Sequence, residues 1–105
     1  MKLIIAIVNK DDASQVSDEL KENGFYLTKV SSTGGFLRKG NVTLLIGTEN
    51  VDEAIKIIKE NSQTRMEKTP VLPIGDFMSP VAQFVDVKVG GATIFVIDVE
   101  QNFKL

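Results

Sequence analysis

The run Leu3 to Val8, LIIAIV, narrows the folds open to this chain more than any other feature. It consists of Leu, Ile and Val interrupted only by Ala6, as in a strand near the centre of a sheet with both faces partly covered. It is too short to span a bilayer, and no small-residue cleavage pattern follows it, so the chain is expected to be cytoplasmic. With 105 residues, 43% apolar and 25% charged, the sequence suits one globular domain over 1–105. A domain of this size leaves a large fraction of its surface exposed, which favours an oligomer.

After a polar break, NKDD, the pair Asp12 and Gln15 has capping-box spacing, and Ala13, Val16 and Leu20 form an apolar stripe at helical spacing. Asn23-Gly24 is expected to end that helix, with Gly24 in a left-handed conformation and Phe25 folded back onto the last turn. Phe25 to about Ser32 is rich in β-formers, and Val42 to Gly47 reads as a third strand, antiparallel to the second. Asn50 and Glu53 repeat the capping spacing, and Val51, Ala54, Ile55 and Ile58 mark the buried face of a second helix. The stretch from Ser62 to about Phe84 contains all three prolines and no stable period, so it reads as a long loop. Val85, Val87 and Val89 alternate with Asp86 and Lys88, and Gly90-Gly91 then gives a hairpin signal before Ala92 to Val99, a largely apolar run expected in the sheet interior. The order is βαββαβ with an extra β segment before the last strand, an α+β, ferredoxin-like pattern. Two helices on one face leave the other face apolar and open, and further copies of the chain are expected to cover it.

The composition excludes several chemistries. Cysteine and histidine are absent, which removes disulfides, thiolate chemistry, imidazole ligands and the usual neutral-pH base. No serine has a histidine to activate it, so catalysis is not expected. A net charge of -2 gives no reason to expect DNA or RNA. Asp11-Asp12 fits a helix N-terminus better than a metal site.

TGGFLRKGN, residues 33–41, is long for a hairpin loop and matches neither the P-loop nor the dinucleotide fingerprint. Its glycines let backbone N–H groups converge on an anion, Arg38 and Lys39 add positive charge, and Phe36 offers a face on which a base can stack. The competing reading docks Phe36-Leu37 on a neighbouring subunit. Thr28 has a similar double reading, as phosphate or base contact or as an ordinary strand residue. Gly47 and Gly90-Gly91 either admit a ligand against bare backbone or serve turns.

MKLIIAIV, TGGFLRKGN and VGGATIFVIDVE, in this order and spacing, resemble the cyclic-di-AMP receptors of the PII-like superfamily of Gram-positive bacteria, along essentially the whole chain. The resemblance implies a homotrimer with three cyclic di-AMP molecules in the clefts between subunits and no separate cofactor. It also implies a short T-loop from about Ser31 to Val42 and a large B-loop from about Ser62 to Phe84. It places Thr28, Gly35, Phe36, Leu37, Asn41 and Gly47 at the ligand, with Gly90, Gly91 and Ala92 contributing from an adjoining part of the cleft. Tyr26 departs from a pattern in which relatives can carry arginine, which bears on one phosphate contact. The alternative is a PII protein sensing ATP and 2-oxoglutarate. Such proteins carry a longer T-loop and a basic C-terminal segment, whereas this sequence ends in EQNFKL. A downstream protein partner is implied, but its identity is not.

Overall fold

The computed structural model describes residues 1–31, 40–71 and 83–105. Eight elements follow in order: β1 (Lys2–Asn9), α1 (Lys10–Glu22), β2 (Leu27–Ser31), β3 (Asn41–Thr48), α2 (Val51–Asn61), β4 (Arg65–Val71), β5 (Gln83–Val89) and β6 (Ala92–Asp98). The main sheet is antiparallel in the order β2-β3-β1-β6. The LIIAIV run is therefore central, hydrogen-bonded on both sides, as its composition predicts. This α+β arrangement, with two helices against an antiparallel sheet, is compatible with a ferredoxin-like fold.

Antiparallel pairing fixes which side chains share a face, because directly opposed residues point the same way. Ile4, Ala6 and Val8 of β1 and Val42, Leu44 and Ile46 of β3 point to one side and are buried there against Val16 and Leu20 of α1 and Ala54, Ile57 and Ile58 of α2. Each Val, Leu or Ile side chain among them contributes about 1.5–3 kcal/mol when fully buried. The opposite face carries Leu3, Ile5, Ile7, Leu45, Phe95 and Ile97, and among the described residues no helix covers it.

The helix ends refine the sequence reading. Asn9, rather than Asp12, caps α1, its side-chain oxygen accepting from the Asp11 N–H at 2.8 Å. The helix starts directly after β1, so Asp12 already lies inside the first turn, where its carboxylate turns to Arg65. The other end is as expected: Gly24 has φ +86°, its N–H reaches the Lys21 carbonyl, and the Phe25 N–H reaches the Leu20 carbonyl. Asn50 is the N-cap of α2, but it makes no side-chain bond to the helix backbone and instead donates from Nδ2 to Glu53 Oε2 at 2.7 Å. Ile57 joins Ala54 and Ile58 in the core, while Ile55, expected on that face, is only half-buried.

Three expectations about the last third of the chain are corrected. Residues 65–71, read as loop, form β4, which pairs with β5 in a separate two-stranded ribbon from Arg65↔Val89 to Val71↔Gln83. There are accordingly two extra β segments, not one. Gly90-Gly91 does not close a hairpin, since β5 pairs with β4 and β6 pairs with β1, and the glycines carry the chain from one sheet to the other. Finally, β6 is an edge strand of the chain's sheet, with Phe95 44%, Val96 41% and Ile97 47% exposed. Its apolar character is not accounted for by burial within one chain.

Candidate functional site

A cleft of about 400 Å³ opens at one end of the main sheet, where β1 ends, β3 begins and the chain passes from the ribbon into β6. Asn9 and Asn41 face each other across the β1–β3 ladder as its last registered pair. This end is fastened by the Lys10 N–H, which donates to the Gly40 carbonyl at 2.8 Å. Ile7 and Thr93, a registered pair on the same face, continue the lining, and Thr64, Lys88, Gly90, Gly91 and Ala92 complete it.

The lining is mostly polar and suits a polar ligand with flat, hydrogen-bonding edges. A carboxamide both donates and accepts, as a nucleobase edge requires, and a threonine hydroxyl does the same over a shorter reach. Asn9 commits its oxygen to the α1 cap, and that bond does not use its amide nitrogen. Lys88 is exposed and supplies a positive charge. Gly90 and Gly91, with φ +84° and +79°, present backbone without side chains. Among the described residues, no group of three or more His, Cys, Asp or Glu could hold a metal ion.

Of the residues singled out in the sequence, Asn41, Gly90, Gly91 and Ala92 meet in this cleft. Asn41 proves to be the first residue of β3 rather than part of the preceding loop. Thr28 is exposed on β2 opposite Leu45, and Gly47 is exposed on β3 opposite Leu3, both on the open face. Six residues of extended strand separate Asn41 from Gly47, roughly 20 Å, so a single chain does not gather Thr28 and Gly47 into the cleft. Gly35, Phe36 and Leu37 lie outside the described residues.

Gly47 has no left-handed backbone, and a Cβ built on it would meet only Met1 Sδ at 3.7 Å, an ordinary contact. Nothing among the described residues requires glycine there. Asn9, Thr64, Lys88, Ile7 and Thr93 were not singled out. Asn9 carried a faint signal, as the polar residue ending the apolar run, but only the β1–β3 register shows that it lies beside Asn41. At the opposite end of the sheet, a hydrogen bond and the adjacent charge from Lys2 hold the Asp98 carboxyl below its ordinary range.

Behind the cleft wall, Arg65 meets Asp12, with Nη2 3.2 Å from Oδ1 and Nη1 3.4 Å from Oδ2. Asp12 is buried, and Arg65 is half-exposed. The strip Ser62 to Arg65 lies against the two glycines, and the Gly91 N–H donates to the Ser62 carbonyl.

The whole chain, residues 1–105, matches the model of a protein family described as the cyclic-di-AMP receptor. The chain is also similar to a solved structure, a functionally unknown protein from Pediococcus pentosaceus ATCC 25745. The two are 42% identical with a TM-score of 0.74, over 99% of this chain and 96% of that one. No described helix is long and apolar enough to cross a membrane. A match that runs from the first residue to the last, through the same strings that carry the sequence resemblance, makes this chain a member of the cyclic-di-AMP receptor family.

Proposed function

We propose that the protein is a non-enzymatic signal-transduction receptor. It binds cyclic di-AMP in clefts between the subunits of a homotrimer and signals to a protein partner through its T-loop and B-loop. The observation that carries this reading is the full-length family match. Two features of the chain support the shared cleft. Gly47 lies roughly 20 Å along the open face from Asn41 and Thr28, one strand over and opposite Leu45, roughly 14 Å, so a neighbouring copy offers a way to bring the separate parts of a site to one ligand. Among the described residues nothing requires glycine at position 47, which fits close approach by a ligand. The half-buried Ile5 and Leu45 and the exposed Phe95 and Ile97 supply an apolar surface of the kind buried between subunits.

In this reading Phe36 and Leu37 cover an adenine and the Asn41 carboxamide bonds a base edge. The backbone at Gly47 reads the exocyclic amine, Thr28 holds a phosphate, and Gly90, Gly91 and Ala92 form a wall. The ligand acts by population shift, favouring conformations of the segments 31–42 and 62–84 that a partner distinguishes. Isothermal titration of cyclic di-AMP tests the reading: binding saturates near one ligand per subunit and is lost in Phe36→Ala and Asn41→Ala. ATP with Mg2+ gives no comparable heat. Binding of ATP but not cyclic di-AMP reverses the assignment in favour of the PII-type alternative.

A further inference from the structure

Arg65 occupies the junction of three parts of the molecule. Its guanidinium forks onto Asp12 at 3.2 and 3.4 Å, and Nη1 also donates to the Gln63 carbonyl at 3.3 Å. Asp12, on α1, is only 7% exposed. The glycines of the cleft wall lie against the same segment. A Cβ on Gly90 would sit 2.4 Å from the Gln63 oxygen and 2.8 Å from Arg65 Nη1, and one on Gly91 would sit 2.9 Å from Thr64 Oγ1. The strip 62–65 thus touches both the start of α1, through Arg65, and the wall of the cleft. Both strands of the ribbon leave from this point, because β4 begins at Arg65 and pairs there with Val89, the residue before Gly90.

We propose that Arg65, held by Asp12, is a positioning residue that fixes the Gly90-Gly91 wall of the ligand cleft and ties occupation of that cleft to the β4–β5 ribbon. Among the described residues the ribbon pairs with neither edge of the main sheet, and its described attachment is at its base. The planar fork of an arginine matches a carboxylate in one orientation, and a fixed orientation is what the wall requires. Without the Asp12 charge, the guanidinium is better solvated than buried, and the strip 62–65 loses its tie to α1. The glycine wall and the ribbon base then move with it. This inference rests on the cyclic di-AMP reading for the identity of the ligand and on the geometry for the clamp.

The test is a double-mutant cycle on the full chain with Asp12→Asn, Arg65→Gln and the pair, plus Arg65→Lys, read in two ways. In titrations of cyclic di-AMP each single variant weakens binding about tenfold, within the usual range of coupling between sites. The double variant is no weaker than the worse single one, since either change removes the same clamp. Arg65→Lys keeps the charge without the fork and falls between wild type and Arg65→Gln. In ligand-free protein, hydrogen exchange at the Gly91 amide, which is bonded to Ser62, speeds up in the same order while the β1 amides are unchanged. A merely structural ion pair lowers the melting temperature but leaves both the affinity and the Gly91 exchange at wild-type values, and that result overturns the proposal. If Asp12→Asn does not fold, the two Arg65 variants decide. If wild type fails to bind cyclic di-AMP, the functional reading falls, while Gly91 exchange still shows whether Arg65 holds the wall.

Discussion

Gly47 and Gly90 show how the same residue type meets different demands. Gly47 has ordinary strand backbone and room for a methyl group, so Gly47→Ala is expected to leave stability within about 0.5 kcal/mol of wild type while weakening cyclic di-AMP binding. Thermal melts and titration of one preparation check both halves. Gly90 sits at φ +84° against the Gln63 carbonyl oxygen, so Gly90→Ala is expected to destabilise the fold by about 1–2 kcal/mol from the backbone alone, with the clash adding to it. Denaturant unfolding measures that loss. Asp98 gives a prediction in pH. Lys2 lowers its carboxyl in the folded chain, so the pair's contribution is complete above the unfolded carboxylate value and is lost as pH falls through the folded one. NMR titration of Asp98 should give a midpoint below the ordinary carboxylate value, and Lys2→Met should return it there.

Among the elements, α1 was the most legible, because its stripe of Ala13, Val16 and Leu20 and its Asn23-Gly24 end are local chemistry. Its N-cap lies three residues before the one that the Asp12–Gln15 spacing predicts. Asn9, Asp11 and Asp12 are all plausible caps, and the choice was made by where β1 delivers the chain. Replacing Asn9 by alanine is expected to cost about 1 kcal/mol of stability, measurable by denaturant unfolding. The β4–β5 ribbon was the least legible element. RMEKTPV has no period of two in its apolar residues and contains Pro70, which cannot donate to a ladder. A two-stranded ribbon with open edges tolerates both features, whereas a central strand tolerates neither. Isolated ribbons are marginally stable, so its amides are expected to exchange well before those of β1, whose ladder is bonded on both sides.

For the whole molecule, the uncovered apolar face sets the expectation. Ile97 points to that face, opposite Leu3, and is 47% exposed, so it contributes little to the chain's own core. Ile97→Asp is therefore expected to leave the chain folded, by far-UV circular dichroism, while light scattering falls from three times the mass of one chain to one. A wild-type mass of a single chain removes the trimer and, with it, the shared cleft. The candidate site was partly legible in the sequence. Asn41, Gly90, Gly91 and Ala92 were picked out along the sequence and meet in one cleft, whereas Thr28 and Gly47 do not join them in a single chain.

The sequence by itself determined the central position of LIIAIV, the two helices, the antiparallel run of β2 and β3, and the left-handed Gly24 that ends α1, because each follows from local periodicity or backbone freedom. Through its strings it also pointed to the family. Tertiary structure alone decided that Asn9 stands beside Asn41, that β5 leaves the main sheet for a ribbon, and that Asp12 turns from a helix cap to Arg65. Those outcomes depend on strand register and on contacts between residues as far apart as 12 and 65. Such pairings bring together positions whose separation along the chain carries no periodic trace.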